Sequence, residues 1–260
     1  MLFLLAGLAA AGVPGDDVDV WAVSAEIGAR SGVTEPLTLG LRGRVDQRNG
    51  GWVAVDLRIL DGVDHDIRSA VEGLLDVQTS PHARASAEVQ LAGGWQHLQA
   101  TRIGGFRADL GLQATYRNER AVWRWGIDQA QVDITSPEHI VYLGVQGRLG
   151  RKLAGDDDTL LTAHLGGGVD MPFTAWHFNS SFGESTDEIL ASMGLTRMTS
   201  LVRSRAWLAP DVRLVQDRVF FDLAPRITWL LPSASGRRAQ VATMKVEREY
   251  AGRVAVGVMF

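Results

Sequence analysis

Cysteine is absent from the 260 residues. Disulfides, thiolate metal sites and cysteine nucleophiles are excluded together. Lysine is scarce, with only Lys152 and Lys245, so arginine carries nearly all the positive charge. The net charge is −4 and both signs are spread along the chain. Without a basic block or an acidic tail, nothing points to nucleic acid or to a solvating arm. Beyond the first residues no stretch is apolar enough for a transmembrane helix, which needs about 20 such residues. A long amphipathic helical pattern is missing too. No metal or cofactor motif occurs. Gly166-Gly167-Gly168 lacks the Lys-Ser/Thr that completes a phosphate loop, and fits better a close approach of strands or sharp sheet curvature.

One short apolar run is present. Residues 2–13, LFLLAGLAAAGV, have signal-peptide length, and Ala9 and Ala11 give an A-x-A-like cleavage site before Pro14-Gly15-Asp16-Asp17. No Lys or Arg precedes the run. The pattern predicts a signal peptide over 1–15 and one domain over 16–260.

From there the dominant signal is period-two alternation, the pattern of strands with one apolar and one polar face. Trp21, Val23, Ala25, Ile27 and Ala29 alternate with Ala22, Ser24, Glu26 and Arg30; Leu37, Leu39, Leu41 and Val45 with Thr38, Arg42, Arg44 and Asp46. Further segments follow at Val53–Ile59, Val71–Val77, Ala85–Leu91, Phe106–Arg117, Trp123–Asp128, Val141–Leu149, Leu161–Met171, Arg203–Leu214, Phe221–Trp229 and Lys245–Phe260. A one-residue phase slip near Gln129 reads as a β-bulge. The count is about twelve strands, and the fold class expected is all-β, an antiparallel up-and-down barrel. Short connections at Gln47–Gly51, Thr79–His82, Asn118–Arg120, Ala154–Asp158 and Gln216–Arg218 alternate with more variable, generally longer ones at Asp61–Ser69, His97–Gly105, Pro172–Ser200 and Leu231–Gln240. Short periplasmic turns opposite longer outer loops are the habit of transmembrane barrels.

A soluble sandwich alternates as well, so two further features decide. The polar faces are heavily charged with both signs nearly balanced, while the apolar faces carry almost no charge. Aromatic residues also gather at strand ends. By this topology Trp21, Tyr116, Trp123 and Phe260 fall at the periplasmic edge, and Trp95, Phe106 and Trp229 at the outer edge, as interfacial girdles would.

The C-terminal run Tyr250-x-Gly252-x-Val254-x-Val256-x-Val258-x-Phe260 resembles the assembly signal of bacterial outer-membrane β-barrel proteins, in which alternating apolar residues end on an aromatic. The resemblance implies residence in the outer membrane of a Gram-negative cell. It also implies contact with lipid and lipopolysaccharide, and recognition of Tyr250, Val256, Val258 and Phe260 by the barrel assembly machinery. No particular subfamily is indicated.

Inside such a barrel the polar faces line a lumen. Its candidates are Arg42, Arg44, Arg58, Arg107, Arg124, Arg148, Arg203, Arg205, Arg213 and Arg226, with Asp109, Asp128, Asp170 and Asp222. The row Arg203, Arg205, Arg213 is either an anion-guiding ladder or part of an ion-paired network. Trp176, His177 and Phe178, in the long Pro172–Ser200 connection, are candidates for a constriction or lid. His139 and His164 lack a nucleophile motif, so no catalytic residue is assigned. Three functions stay open: a small diffusion channel or porin for small polar or anionic solutes, a non-conducting structural or surface-binding barrel, and an outer-leaflet lipid-modifying hydrolase. No cofactor or metal is expected, and the oligomeric state is open.

Overall fold

A computed structural model of the chain describes residues 20–30, 37–60, 78–79, 86–99, 106–125, 132–156, 158–177, 202–231 and 246–260. In chain order these form β1 (Val20–Arg30), β2 (Leu37–Asp46), β3 (Gly51–Leu60), β4 (Gln78–Thr79), β5 (Ser86–Gln99), β6 (Phe106–Trp125), β7 (Val132–Gly155), β8 (Thr159–His177), β9 (Ser204–Gln216), β10 (Val219–Leu231) and β11 (Glu247–Met259). The segment expected to be a signal peptide lies outside the described residues.

Every strand of the ring pairs antiparallel with its sequence neighbour, β3 pairing with β5, and β1 pairs with β11 to close an up-and-down barrel of ten strands. The seam runs from Ala22↔Met259 to Arg30↔Ala251. It ends on reciprocal backbone hydrogen bonds, the Phe260 amide to the Trp21 carbonyl at 2.7 Å and the Trp21 amide to the Phe260 carbonyl at 3.1 Å. Closure leaves no unpaired edge in the ring. The short strand β4 stays outside it, paired with Trp123 and Arg124 on the extension of β6.

The ring holds two strands fewer than the alternation suggested, for two reasons. β3 pairs directly with β5, from Gly51↔Trp95 to Leu60↔Ser86, so closure uses no stave at Val71–Val77, which lies outside the described residues. Nor does the chain turn at Asn118–Arg120. There β6 continues as strand, with Asn118↔His139 and Arg120↔Pro137, until Trp125 meets Val132. The stretch read as one strand with a bulge near Gln129 is divided between β6 and β7, which pair up to Trp125↔Val132, and Gln129 itself lies outside the described residues.

These changes move the aromatics. Trp95 pairs with Gly51 and Phe106 opens β6, so both sit at the end that carries Trp21 and Phe260. Tyr116 and Trp123 lie toward the opposite end. All four were expected at the other rim. Below, the terminal end is the one holding Val20 and Phe260, and the far end its opposite.

Turn chemistry at the terminal end follows the sequence closely. Gly50 takes a φ of +90° in the β2–β3 turn, a backbone region open to glycine without steric cost. The two-residue β9–β10 turn puts Asp217 at φ +53°, where Asp is among the tolerated non-glycine residues. The β7–β8 ladder shifts register between Val141 and Tyr142, pairing them with Thr174 and Pro172. Phe173 is therefore an extra, bulged residue. β8 runs on as strand to His177, so the long connection begins later than the expected Pro172.

Packing is inverted relative to a soluble domain. Leu39, Leu41, Leu57, Leu91, Leu110, Leu112, Leu143, Val145, Leu165, Val212, Leu223 and Val254 are exposed, while Asp56, Glu88, Asp109, Arg117, Asp170, Arg203, Arg205, Asp211 and Asp222 are buried. An exposed apolar face that encircles the whole barrel far exceeds the isolated patches of a soluble monomer. Within the stripe that ends the chain, Tyr250, Val254, Val256 and Phe260 are exposed but Val258 is covered.

Glycines make room for rings inside the barrel. Gly257 faces Phe220 across the β10–β11 ladder, and a Cβ there would lie 2.3 Å from the Phe220 ring and 2.5 Å from the Val23 carbonyl oxygen. The backbone oxygen cannot step aside as a side chain could. Gly257→Ala is expected to destabilise the barrel by about 1–3 kcal/mol through overpacking, read as a lower urea midpoint of refolded protein. Phe220→Leu in the same chain should recover part of the loss; an unchanged midpoint for the single variant would refute the packing.

Candidate functional site in the lumen

Strand alternation sends the polar faces inward, and ten strands bring them close enough to touch across the interior. At the terminal end four charges from β2 and β6 form a closed alternating ring. Arg44 bonds Asp46 at 2.7 Å and Asp109 at 2.8 Å, and Arg107 bonds the same two carboxylates at 2.9 Å each. β2 and β6 are separated by β3 and β5, so this ring bridges the lumen rather than running along one wall. On the opposite wall Arg213 grips Asp222 with two parallel bonds of 2.7 and 2.8 Å, the bidentate geometry that makes arginine–carboxylate pairs specific. Beside them Val215, Phe220 and Met259 pack with Val20, Ala22 and Leu160 into an apolar cluster.

The far half holds a second network. Glu26 accepts bonds from Arg58 at 2.9 Å and from Arg253 at 2.6 Å. Arg58 also reaches Asp56 at 3.3 Å and Glu88 at 3.6 Å. Glu88 of β5 in turn lies 3.5 Å from Arg205 of β9, a strand four places away around the ring. Gln113 donates to Asp170 and accepts from Gln90 at 2.6 Å. Buried pairs of this kind pay heavily for desolvation and are kept as sets, since losing one partner strands a charge.

Four inward aromatics complete the filling. Arg44 lies over Trp52 at 4.6 Å, Arg205 over Tyr142 at 3.9 Å, Arg213 over Phe220 at 4.3 Å and Arg226 over Trp207 at 4.7 Å. Each stack orients a guanidinium and adds cation–π attraction. Trp207 lies over the glycine run the sequence singled out; a Cβ on Gly168 would come within 2.8 Å of its ring. These four rings are not among the aromatics expected on the apolar face. Their signal was parity: Trp52 is in phase with Asp56 and Arg58, Tyr142 with Arg148, Trp207 with Arg205 and Asp211, and Phe220 with Asp222 and Arg226.

Two cavities are lined by described residues. The larger, ≈ 180 Å³, occupies the far half and has six arginines in its wall (Arg42, Arg58, Arg117, Arg205, Arg226, Arg253) against four carboxylates (Glu26, Asp56, Glu88, Glu249). It reaches Thr38 and Glu249, within three residues of the far ends of β2 and β11. The smaller, ≈ 70 Å³, lies toward the terminal end among Arg44, Trp52, Asp109, Arg148 and Asp211. Arg42, Gln146, Trp207, Ala209 and Arg253 belong to both walls and form the neck between them.

Most lumen candidates thus meet in these networks, and Arg203, fully buried, joins β9 at its far end. Two members of the basic row lie within ion-pair distance of acids, Arg205 of Glu88 and Arg213 of Asp222. Arg124 lies on the extension of β6 and away from the cavities, the side chain being outside the described residues, as are Asp128 and Phe178 altogether. His177 ends β8. Trp176, expected in a lid, belongs to β8 and stacks on His139 at 5.3 Å, with Tyr116 at 6.5 Å, on the barrel's outer surface. The bulge at Phe173 turns it outward.

His164 does sit in the lumen, but in the terminal third, where its Nδ1 lies 2.8 Å from Asp211 and 2.9 Å from Arg148. Arg148 bonds the same Asp211 oxygen at 2.6 Å. The ring rests on Gly150, whose added Cβ would come within 2.2 Å of it. Among the described residues no hydroxyl is bonded to His164, so a nucleophile–base pair is not assembled there. Nor do the described residues hold a cluster of His, Asp and Glu fit for a metal.

No protein-family model and no curated protein matches the sequence. Among solved structures, LpxR from Salmonella typhimurium aligns over 90% of this chain and 99% of its own at 9% identity, with a TM-score of 0.39. The outer membrane protease OmpT from Escherichia coli aligns over 95% and 98% at 7% identity, TM-score 0.44, and the NanC porin over 91% and 98% at 9% identity, TM-score 0.36. Proteins so distant in sequence and so loosely superposed assign no activity, and function must be argued from this chain's own residues.

Proposed function

We propose that the chain is an outer-membrane barrel whose lumen is closed to free diffusion, and that it serves as a structural or surface-binding barrel. The carrying observation is the pair of charge networks that bridge the interior: the Arg44–Asp46–Arg107–Asp109 ring at the terminal end and the Glu88–Arg205 pair in the far half. Water-filled passage would require both to part. The membrane assignment is supported by the encircling apolar face, which only a hydrocarbon medium covers on every side of a barrel. Both termini then face the periplasm, and the longer connections project outward. On this reading lipid and lipopolysaccharide meet the belt, and Tyr250, Val256, Val258 and Phe260 act as the assembly signal.

This reading takes precedence over the porin, which needs a continuous bore. It also takes precedence over an outer-leaflet hydrolase, since His164 lies in the periplasmic third and the His139 ring is bonded to Tyr116 at 2.7 Å and clustered with the Tyr116 and Trp176 rings. Purified protein reconstituted in planar bilayers is expected to give no stable porin-sized conductance at any moderate voltage. Reproducible ohmic openings would overturn the proposal in favour of the channel.

A further inference from the structure

We propose that the larger cavity is a binding chamber for a small hydroxylated carboxylate, entered from the far end. Its wall holds two more arginines than carboxylates, and the carboxylates are already engaged: Glu26 with Arg58 and Arg253, Asp56 with Arg42 and Arg58, Glu88 with Arg58 and Arg205. Arg226 makes no ion pair with any described residue. Its guanidinium carbon lies over the Trp207 ring, 4.7 Å from the centroid, and the Nε of Arg226 and the Nε1 of Trp207 are both buried donors with no acceptor. Native interiors rarely leave such groups unmet, and where they do, a bound water, ion or ligand is the usual explanation.

One orphan of opposite kind lies in the same wall. Asp56 Oδ1 is a buried acceptor with no donor. A simple anion with no O–H of its own, such as sulfate, would answer the arginine surplus and leave this oxygen unmet. A hydroxy acid answers both, its carboxylate taken by the Arg226–Trp207 side and its hydroxyl donating to Asp56. The volume suits this class, since an apolar cavity of about 150 Å³ holds a benzene-sized molecule, and glycerate is of that order. Access is through the far end, because the terminal side is occupied by the Arg44–Asp46–Arg107–Asp109 ring and the Phe220 cluster.

Titration calorimetry on the detergent-solubilised full chain, with D-glycerate, sulfate and glycerol as probes, tests the chamber. Saturable binding of glycerate is expected, with sulfate weaker and glycerol silent. Arg226→Met should weaken glycerate by about tenfold or more, the loss of a charged hydrogen bond. Trp207→Phe keeps a stacking ring while deleting the N–H, and should weaken it less. Asp56→Asn should narrow the gap between glycerate and sulfate. Equal binding of glycerate and sulfate, or none of either by folded wild-type protein, would overturn the inference, as would glycerate affinity unchanged in Arg226→Met. Conductance is read separately, so a conducting barrel that binds glycerate would defeat only the closed-lumen proposal.

Discussion

Glu26→Ala is expected to cost the barrel about 3 kcal/mol of unfolding free energy, at the lower end of what breaking a buried ion pair costs. Glu26 stands between Arg58 and Arg253, at 2.9 and 2.6 Å, with only 8% of its side chain exposed. Its removal leaves two guanidinium groups short of a carboxylate. Arg58 retains Asp56 and Glu88, so its loss is partial. Arg253, paired among the described residues with Glu26 alone, bears the larger share. The double variant Glu26→Ala, Arg253→Ala removes the stranded charge with its partner and should be less damaging than the two single losses added together, the mark of a coupled pair. Urea titration of protein refolded into vesicles reads all three. A Glu26→Ala midpoint equal to wild type would mean that Glu26 does not hold the network.

How much of this was written in the sequence depends on the range of the interaction. Alternation is a property of single strands, so Arg42, Arg44 and Arg58 could be set inward and Leu39, Leu41 and Leu57 outward with no knowledge of neighbours, and the structure keeps that division. Turn chemistry is equally local, which is why Asn49-Gly50 fell where it should. Strand pairing is not local. The step from β3 to β5, and the continuity of β6 through Asn118–Arg120, depend on which ladder each backbone joins, and Asn-Glu-Arg reads as a turn until His139 is seen opposite Asn118. One extra stave on each side of β5 and β6 then sent Trp95 and Tyr116 to the wrong ends. The networks were out of reach for the same reason. Arg205 and Glu88 are 117 residues apart, and only the closed ring brings them within 3.5 Å. The aromatics were missed by assuming that rings belong outside, although their phase with the charges placed them inside.

The membrane reading itself stands or falls on the outward face, and a single charge there separates it from a soluble barrel. Leu112 is 69% exposed and lies beside Val145 in the register, six residues above the start of β6. At about 3.4 Å per residue along a strand tilted by about 40°, that is roughly 15 Å from the rim, near the middle of an apolar band about 25–30 Å tall. Leu112→Arg should therefore cost about 2–4 kcal/mol when the protein folds into lipid, whereas Leu37→Arg, at the first residue of β2 and the far rim, should cost about 1 kcal/mol or less. Depth is what separates the two, because both replace an exposed leucine with the same side chain. In a soluble barrel water would solvate the new guanidinium equally well at both positions, and neither change would matter. Urea midpoints of the two variants in phospholipid vesicles supply the comparison: a large loss at Leu112 with a small one at Leu37 is the expected result, and two small losses would remove the membrane from the account.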